Sequence, residues 1–142
     1  MTLNIQRLHP DAVLPTRAHE NDAGLDLYAA EQVGIPVLGR NLVSTGIAVA
    51  IPPGHVGYIT PRSGLAHSHG ITVLNSPGTI DAGYTGEIKV NLINHGQAPY
   101  VITPGQRIAQ LVIHPIATPT VEEVDELPDT ERGTNGHGSS GA

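Results

Sequence analysis

One carboxylate is isolated among the residues of this chain that could do chemistry. Between residues 32 and 121 the only acidic side chains are Asp81 and Glu87. Asp81 lies in the stretch LNSPGTIDAGYTGEIKVNLIN, residues 74–94, and turn-forming residues flank it on both sides. Such a carboxylate can act as a general base. It can equally form an Asx-turn by bonding its own backbone, and the spacing alone leaves both interpretations open.

Donors suited to phosphate occur together at residues 61–66, PRSGLA. The guanidinium of Arg62, the hydroxyl of Ser63 and the backbone N–H of Gly64 follow one another, and phosphate oxygens are bound by such groups. The alternative interpretation is a loop that enters a short helix. The chain has only seven Lys and Arg residues, and four of them lie in motif-like segments, which favours a small polyanionic ligand over a polymer.

Three weaker segments also carry polar side chains. Residues 23–29, AGLDLYA, alternate like a strand that holds one carboxylate, Asp26. Residues 105–111, GQRIAQL, read as a strand with an arginine and two amides, of which the second is Gln110. Near the end of the chain, the GSSG sequence at 138–141 could surround a phosphate with backbone N–H groups and hydroxyls. Each signal by itself is also compatible with a solvated surface.

Composition limits the class of protein. A chain of 142 residues fits one domain, and the absence of cysteine excludes disulfides and thiolate chemistry. The net charge of −6 argues against a nucleic-acid or anionic membrane surface. No apolar run approaches the length of a membrane span, so we expect a soluble cytoplasmic protein. Charged residues make up only 14% of the chain, which hints that partner subunits cover part of the surface.

The backbone pattern indicates an all-β fold. Short apolar runs separated by Gly and Pro predict strands at 46–51, 57–60, 71–74, 87–94, 100–103 and 107–114. No segment has a sustained helical stripe, so a sandwich or barrel is expected. Near residue 119 the composition shifts to an acidic arm, followed by the sequence RGTNGHGSSGA, whose composition is typical of a disordered end.

The five segments taken together resemble the five motifs of the trimeric deoxyuridine triphosphatases (dUTPases), in the order and spacing of that family. The most specific are N-x-x-G-x-I-D-x-x-Y-x-G at 75–86, PRSGLA at 61–66, and R-G-x-x-G-x-G-S-S-G at 132–141. One departure is His137, where the family commonly has a phenylalanine that stacks on uracil. An imidazole can also stack on a base.

The resemblance implies a jelly-roll-like β-barrel or sandwich that assembles as a homotrimer with shared active sites. A single domain would span residues 1–120, and residues 121–142 would form a flexible arm and tail that close over the site of a neighbouring subunit. Asp81 would orient the attacking water, and Asp26 would hold Mg²⁺ through its water shell. The other residues that the resemblance places on the substrate are Arg62, Ser63, Gly64, Asn75, Thr79, Ile80, Tyr84, Lys89, Gln110, Arg132, His137, Gly138, Ser139 and Ser140.

The implied reaction is hydrolysis of dUTP to dUMP and pyrophosphate by attack of water on the α-phosphorus, which supplies dUMP for thymidylate synthesis and keeps uracil out of DNA. No nucleic-acid or membrane partner is expected. Two alternatives remain: a dCTP deaminase of related fold, and a non-enzymatic trimeric binding protein. The 75–86 pattern argues against the first. Intact Asp26 and Asp81, together with a complete tail motif, argue against the second.

Overall fold

A computed structural model describes residues 1–141 of the chain, and this part is built mainly of antiparallel strands. The elements in chain order are β1 Asn4–Arg7, β2 Gly24–Tyr28, β3 Val33–Ile35, β4 Arg40–Ala50, β5 His55–Thr60, α1 Ser63–His69, β6 Ile71–Val73, β7 Gly78–Asp81, β8 Glu87–Asn94, β9 Tyr100–Ile102 and β10 Arg107–Pro115.

The strands form two four-stranded sheets and one two-stranded sheet. The strand orders are β1-β4-β8-β6, β2-β10-β5-β7 and β3-β9. Side chains from both large sheets join one hydrophobic core, for example Leu27 and Leu111 from the second sheet and Val43, Ile88 and Leu92 from the first. The all-β prediction is confirmed. The barrel alternative is wrong, because within residues 1–141 each sheet ends in edge strands and does not close on itself.

Strand β8 forms because its apolar residues alternate with polar ones. Ile88, Val90 and Leu92 are buried on one face, and Asn94 follows them inward at the end of the strand. An alternating strand buries one face against the core. The predicted bounds of β8 are confirmed, and those of β10 are confirmed to within one residue.

Strand β4 is longer than predicted and carries a bulge. It pairs with β8 through Ser44 and Lys89 and again through Ala48 and Glu87, so residues 45–47 of β4 lie opposite Ile88 alone. The hydroxyl of Thr45 donates to the carbonyl of Ile88 at 2.6 Å. Such side-chain bonds replace ladder bonds that the extra residues interrupt. The predicted strand at 46–51 corresponds to only the downstream half of β4.

Helix α1 was not indicated by any helical stripe, although a short helix was the alternative interpretation of the PRSGLA segment. The helix has seven residues, of which only Leu65 is buried, so its sequence carries too short a pattern to detect. It ends at Gly70, which adopts a left-handed conformation (φ 69°) and whose N–H donates to Ala66 O. The carbonyl of Gly70 accepts a hydrogen bond from His95 N at 2.8 Å, which attaches the helix to the loop after β8.

The segment after β10 lies outside the core. All of the described residues from 116 to 141 are exposed, and none of them is in a strand or helix. The hydrogen bonds described for residues 130–141 are local, such as Arg132 Nε to Asn135 O at 2.9 Å. Among residues 1–141 no helix is long and apolar enough to cross a membrane.

Candidate active site

The segment of residues 74–94 lines an open cleft of about 570 Å³. The two strands of this segment, β7 and β8, belong to different large sheets and do not pair with each other. Strand β7 forms one wall, and strands β6 and β8 form the other. The cleft brings together six residues that the sequence predicted as substrate contacts: Asn75, Thr79, Ile80, Asp81, Tyr84 and Lys89. The sequence analysis did not assign a role there to Glu87 or Asn91, which also line the cleft.

Asp81 is the last residue of β7 and pairs with Val56 of β5. Its backbone carbonyl accepts a hydrogen bond from Tyr84 N at 3.1 Å, which closes the turn that follows. The side chain is exposed, and among the described residues its carboxylate makes no hydrogen bond or ion pair. The turn is therefore held by the backbone, and the Asx-turn interpretation finds no support. The carboxylate is available to a molecule in the cleft.

Tyr84 is fixed at the mouth of the same cleft. Its hydroxyl donates to the backbone carbonyl of Glu87 at 3.0 Å, while 47% of the residue remains exposed. Gly86 lies directly beside the ring: a Cβ atom on Gly86 would come 2.5 Å from the tyrosine oxygen. A side chain at Gly86 would therefore displace the ring, which presents a flat exposed surface to the cleft.

A second polar cluster lies at the other end of strand β5. Asp26 is only 4% exposed, and its carboxylate faces the Nε of Arg62 at 3.4 Å and a terminal nitrogen of Arg107 at 3.7 Å. Gln110 Nε2 donates to the same carboxylate at 3.3 Å. We call Asp26, Arg62, Arg107 and Gln110 the arginine–aspartate cluster. It combines two cations with one anion, so a net positive charge surrounds a buried carboxylate.

Strand pairing explains why these distant residues meet. Gln110 of β10 is opposite Asp26 of β2 on one side and opposite Thr60 of β5 on the other. Arg62 follows two residues after Thr60, at the point where the chain enters helix α1. Ser63 and Gly64 occupy the first turn of that helix, and both are exposed. Arg107 was not among the predicted site residues, because its proximity to Asp26 depends on a strand pairing that its own segment does not reveal.

Gly24 leaves room for the side chain of Gln110. A Cβ atom on Gly24 would come 2.9 Å from Gln110 Cδ and 3.0 Å from its Oε1. Gly24 belongs to β2 and has no positive φ, so its backbone suits any residue. Glycine is therefore favoured here because a larger residue would clash with the side chain of Gln110, and not because of backbone conformation.

The cleft and the arginine–aspartate cluster are separate within one chain. Asp81 pairs with Val56, and Gln110 pairs with Thr60 four residues further along β5. Four residues of a strand span about 13 Å. None of the cluster residues lines the cleft. The remaining predicted contacts are exposed in the tail, and the structure brings none of them to either place: Arg132, His137, Gly138, Ser139 and Ser140.

The part of the chain that the structure describes contains no group of three or more His, Asp or Glu side chains arranged to hold a metal ion. Asp26 is the one carboxylate of the arginine–aspartate cluster, and two guanidinium groups already face it. A bare dication is disfavoured between two positive charges. Any metal at this place would have to arrive with an anionic ligand.

Comparison with known proteins decides the family. The sequence profile described as dUTPase matches residues 11–141. The chain belongs to the dUTPase family. Among relatives, the deoxyuridine 5'-triphosphate nucleotidohydrolase of Clostridium kluyveri is 55% identical over 141 residues, which cover 99% of each chain. That of Mycolicibacterium vanbaalenii is 56% identical over 146 residues, covering 99% of this chain and 95% of the relative.

Solved dUTPase structures share the fold. A mutant dUTPase of Staphylococcus bacteriophage 80alpha with dUpNHpp superposes with a TM-score of 0.92 at 34% identity, covering 99% of both chains. A mutant dUTPase from phage phi11 of S. aureus superposes with a TM-score of 0.83 at 33% identity, covering 89% of this chain and 98% of the other. The phi11 enzyme is described with a structural Mg(II) ion.

Proposed function

We propose that this chain hydrolyses dUTP to dUMP and pyrophosphate, by in-line attack of water on the α-phosphorus. The observation that carries the proposal is the unpaired carboxylate of Asp81 in the cleft that residues 74–94 line, next to the exposed ring of Tyr84. Membership of the dUTPase family and relatives named deoxyuridine 5'-triphosphate nucleotidohydrolase support the choice of substrate.

The cleft is the site for uracil and deoxyribose. Asn75 and the backbone near Thr79, Ile80 and Lys89 supply donors and acceptors for the edge of the base, and these residues line the cleft together. The ring of Tyr84 packs on the sugar and leaves no room for a 2′-hydroxyl. A site that pairs each polar edge of one substrate rejects analogues that leave its groups unpaired.

Asp81 acts as the general base. Its carboxylate is exposed to the cleft, where it can contact the 3′-hydroxyl and orient the attacking water. General-base catalysis needs a carboxylate within hydrogen-bond reach of the proton it removes. In phosphoryl transfer such positioning, together with electrostatic stabilisation of the phosphates, provides most of the catalysis.

The arginine–aspartate cluster and the start of helix α1 bind the triphosphate. Arg62 and Gln110 donate from the cluster, and Ser63 and Gly64 donate from the first turn of the helix. The cluster has two guanidinium groups and one carboxylate, so a triphosphate adds the negative charge that it lacks. Mg²⁺ bound to that triphosphate would supply electrostatic stabilisation of the phosphate oxygens, and the buried carboxylate of Asp26 fits a role as acceptor for the water ligands that Mg²⁺ retains.

The active site is shared between subunits of a homotrimer. The separation of about 13 Å along β5 between the residues paired with Asp81 and with Gln110 supports this arrangement. A second copy of the chain would bring its cluster to the cleft of the first. The tail from residue 121 onward, beyond the domain of residues 1–120, would come from a third copy and close over the substrate. Its contacts would be Arg132, His137, Gly138, Ser139 and Ser140.

The reaction is tested by phosphorus NMR of dUTP with the wild-type chain and Mg²⁺. We expect pyrophosphate and dUMP to appear together. Orthophosphate as the first product would place the attack on another phosphorus and contradict the proposal. Ammonia release from dCTP in a parallel sample would assign the chain to the deaminases.

The shared site is tested by mixing two inactive variants. A chain that ends before Arg132 lacks the tail but keeps the core, because residues 116–141 are exposed. Asp81→Asn chains keep the tail but lack the base. After subunit exchange in a symmetric trimer, roughly a quarter of the sites regain both parts if these come from different chains. With exchange verified by mass, the absence of any pyrophosphate release would mean that each site is built from one chain.

A further inference from the structure

Glu87 forms hydrogen bonds with two parts of the molecule, the bulge of β4 and the side chain of Tyr84. Its side-chain Oε2 accepts a hydrogen bond from Gly46 N in the bulge of β4, at 3.0 Å. Its backbone carbonyl accepts the hydrogen bond from the hydroxyl of Tyr84, also at 3.0 Å. One residue at the start of β8 therefore links the bulge to the ring at the mouth of the cleft.

The N-terminal segment holds the bulge of β4 in place through contacts with Gly46. Gly46 has a φ of 70° and its carbonyl accepts a hydrogen bond from Leu8 N at 2.8 Å. The ring of His9 and the methyl group of Ala12 lie where a Cβ atom of Gly46 would be, at 2.6 and 2.9 Å. The N-terminal segment thus packs against Gly46, and the carboxylate of Glu87 is bonded to a backbone that cannot shift freely.

Tyr84 has no comparable support of its own. The residue is 47% exposed, and the hydrogen bond to the Glu87 carbonyl is the one polar contact described for its hydroxyl. An exposed aromatic ring without such a bond can change its rotamer within nanoseconds. The position of the ring therefore depends on where the backbone carbonyl of Glu87 is held. The pairing of Glu87 with Ala48 and the bond from Gly46 N to its side chain both hold it.

We propose that Glu87 is a positioning residue that fixes Tyr84 through this chain of hydrogen bonds, and that it thereby determines the discrimination between deoxyribose and ribose substrates. This inference rests on the proposed function, because it concerns the sugar side of the same cleft. Glu87 does not touch the reacting atoms. Its effect is on the shape of the space beside the sugar, and this space decides whether a 2′-hydroxyl is admitted.

The test is the ratio of kcat/KM for dUTP to kcat/KM for UTP. Tyr84→Phe removes the hydroxyl and keeps the ring, and we expect the ratio to fall about three- to tenfold, the factor that one hydrogen bond contributes. Glu87→Ala should lower the ratio by a similar factor. The double variant should lower it no further, since both changes break the same connection. Glu87→Gln should retain most of the ratio, because its amide oxygen can accept from Gly46 N.

Glu31→Ala is the matched control. Glu31 Oε1 accepts a hydrogen bond from Ser44 N at 3.0 Å, so it also anchors a carboxylate to β4, but it does not line the cleft. We expect Glu31→Ala to keep the ratio even where it lowers the melting temperature. The proposal is overturned if Tyr84→Phe or Glu87→Ala leaves the ratio unchanged, or if Glu31→Ala lowers it as much as Glu87→Ala does.

The experiment distinguishes a failure of the proposed function from a failure of the positioning role of Glu87. If the wild-type chain does not hydrolyse dUTP, the proposed function itself fails, and the positioning role fails with it. If the wild type hydrolyses dUTP selectively and the ratio is insensitive to Tyr84→Phe, only the positioning role fails. Should Glu87→Ala not fold, Glu87→Asp takes its place, because a carboxylate one methylene shorter loses the hydrogen bond to Gly46 N. A wild-type ratio in Glu87→Asp would then overturn the proposal.

Discussion

Gly24→Ala is a one-carbon change that should disturb the proposed phosphate site without removing a polar group. The added Cβ atom would lie 2.9 Å from Gln110 Cδ, 3.0 Å from Oε1 and 3.2 Å from Cβ of the same side chain. Ordinary carbon contacts are about 3.5–4.0 Å, so the carboxamide has to move by more than about half an ångström. The hydrogen bond from Gln110 to Asp26 is already 3.3 Å long, and this displacement breaks it.

The magnitude follows from the lost bond. A hydrogen bond to a charged group contributes about 1.5–3 kcal/mol, and each 1.4 kcal/mol corresponds to about a tenfold change in an equilibrium or rate constant. We therefore expect kcat/KM for dUTP to fall about 10- to 100-fold. The backbone of β2 tolerates alanine at this position, and we expect the protein to remain folded.

The assay is pyrophosphate release at limiting dUTP, with Gly34→Ala as the control. Gly34 is also a strand glycine, but a Cβ atom there would meet nothing within 4 Å. The kcat/KM of Gly34→Ala should therefore equal that of the wild type. If the steric argument holds, Gly24→Ala combined with Gln110→Ala loses no more than Gln110→Ala alone. Wild-type kcat/KM in Gly24→Ala would refute the reasoning, and so would losses that add in the double variant.

Two further predictions concern the cleft. Asp81→Asn should retain binding of a non-hydrolysable dUTP analogue, measured by calorimetry, but lower kcat about 10²- to 10⁴-fold, the usual range for a general base. Nearly unchanged turnover would mean that Asp81 is not the general base. The wild type should hydrolyse dUTP far faster than UTP, dCTP or dTTP in parallel assays of pyrophosphate release. Comparable rates with UTP would remove Tyr84 from the role that we propose.

Sequence alone predicted the regular strands because their burial is periodic. In β8 each inward residue is apolar up to Leu92, so the alternation is visible without a structure. Strand β4 breaks this rule, since residues 45–49 are all buried around the bulge. Its upstream half was missed because Leu42 is apolar but exposed next to buried Val43, so apolar residues do not alternate with polar ones there. Strands β1 and β3 were also missed, because β1 has a single apolar residue, Ile5, and β3 has a glycine at its centre.

Strand β7 illustrates a different difficulty. Its sequence, GTID, contains a glycine and an aspartate, and both residue types are typical of turns. The sequence therefore indicated turns on both sides of Asp81. The structure pairs these four residues with β5 at the edge of the sheet. A long-range pairing overrides the local preference here, and such a pairing cannot be read from the segment itself.

The candidate site could be predicted only as far as its residues are close in sequence. The six cleft residues come from one stretch of the chain, so the sequence could group them although β7 and β8 belong to different sheets. The contact between Arg107 and Asp26 joins residues far apart in sequence. It requires the register of β10 against β2, which includes an irregularity between Arg107 and Ala109.

The bulge in β4 determines which deletions in this strand the fold should tolerate. Three residues, 45–47, face one residue of β8, so the bulge adds an even number of residues. Val43 before it and Val49 after it consequently point to the same buried face. Deleting one residue of the bulge would move every side chain in one half of the strand from the buried face to the exposed face. Deleting Thr45 and Gly46 together would preserve parity, so a shortened chain should still fold while it loses the attachment point of Glu87.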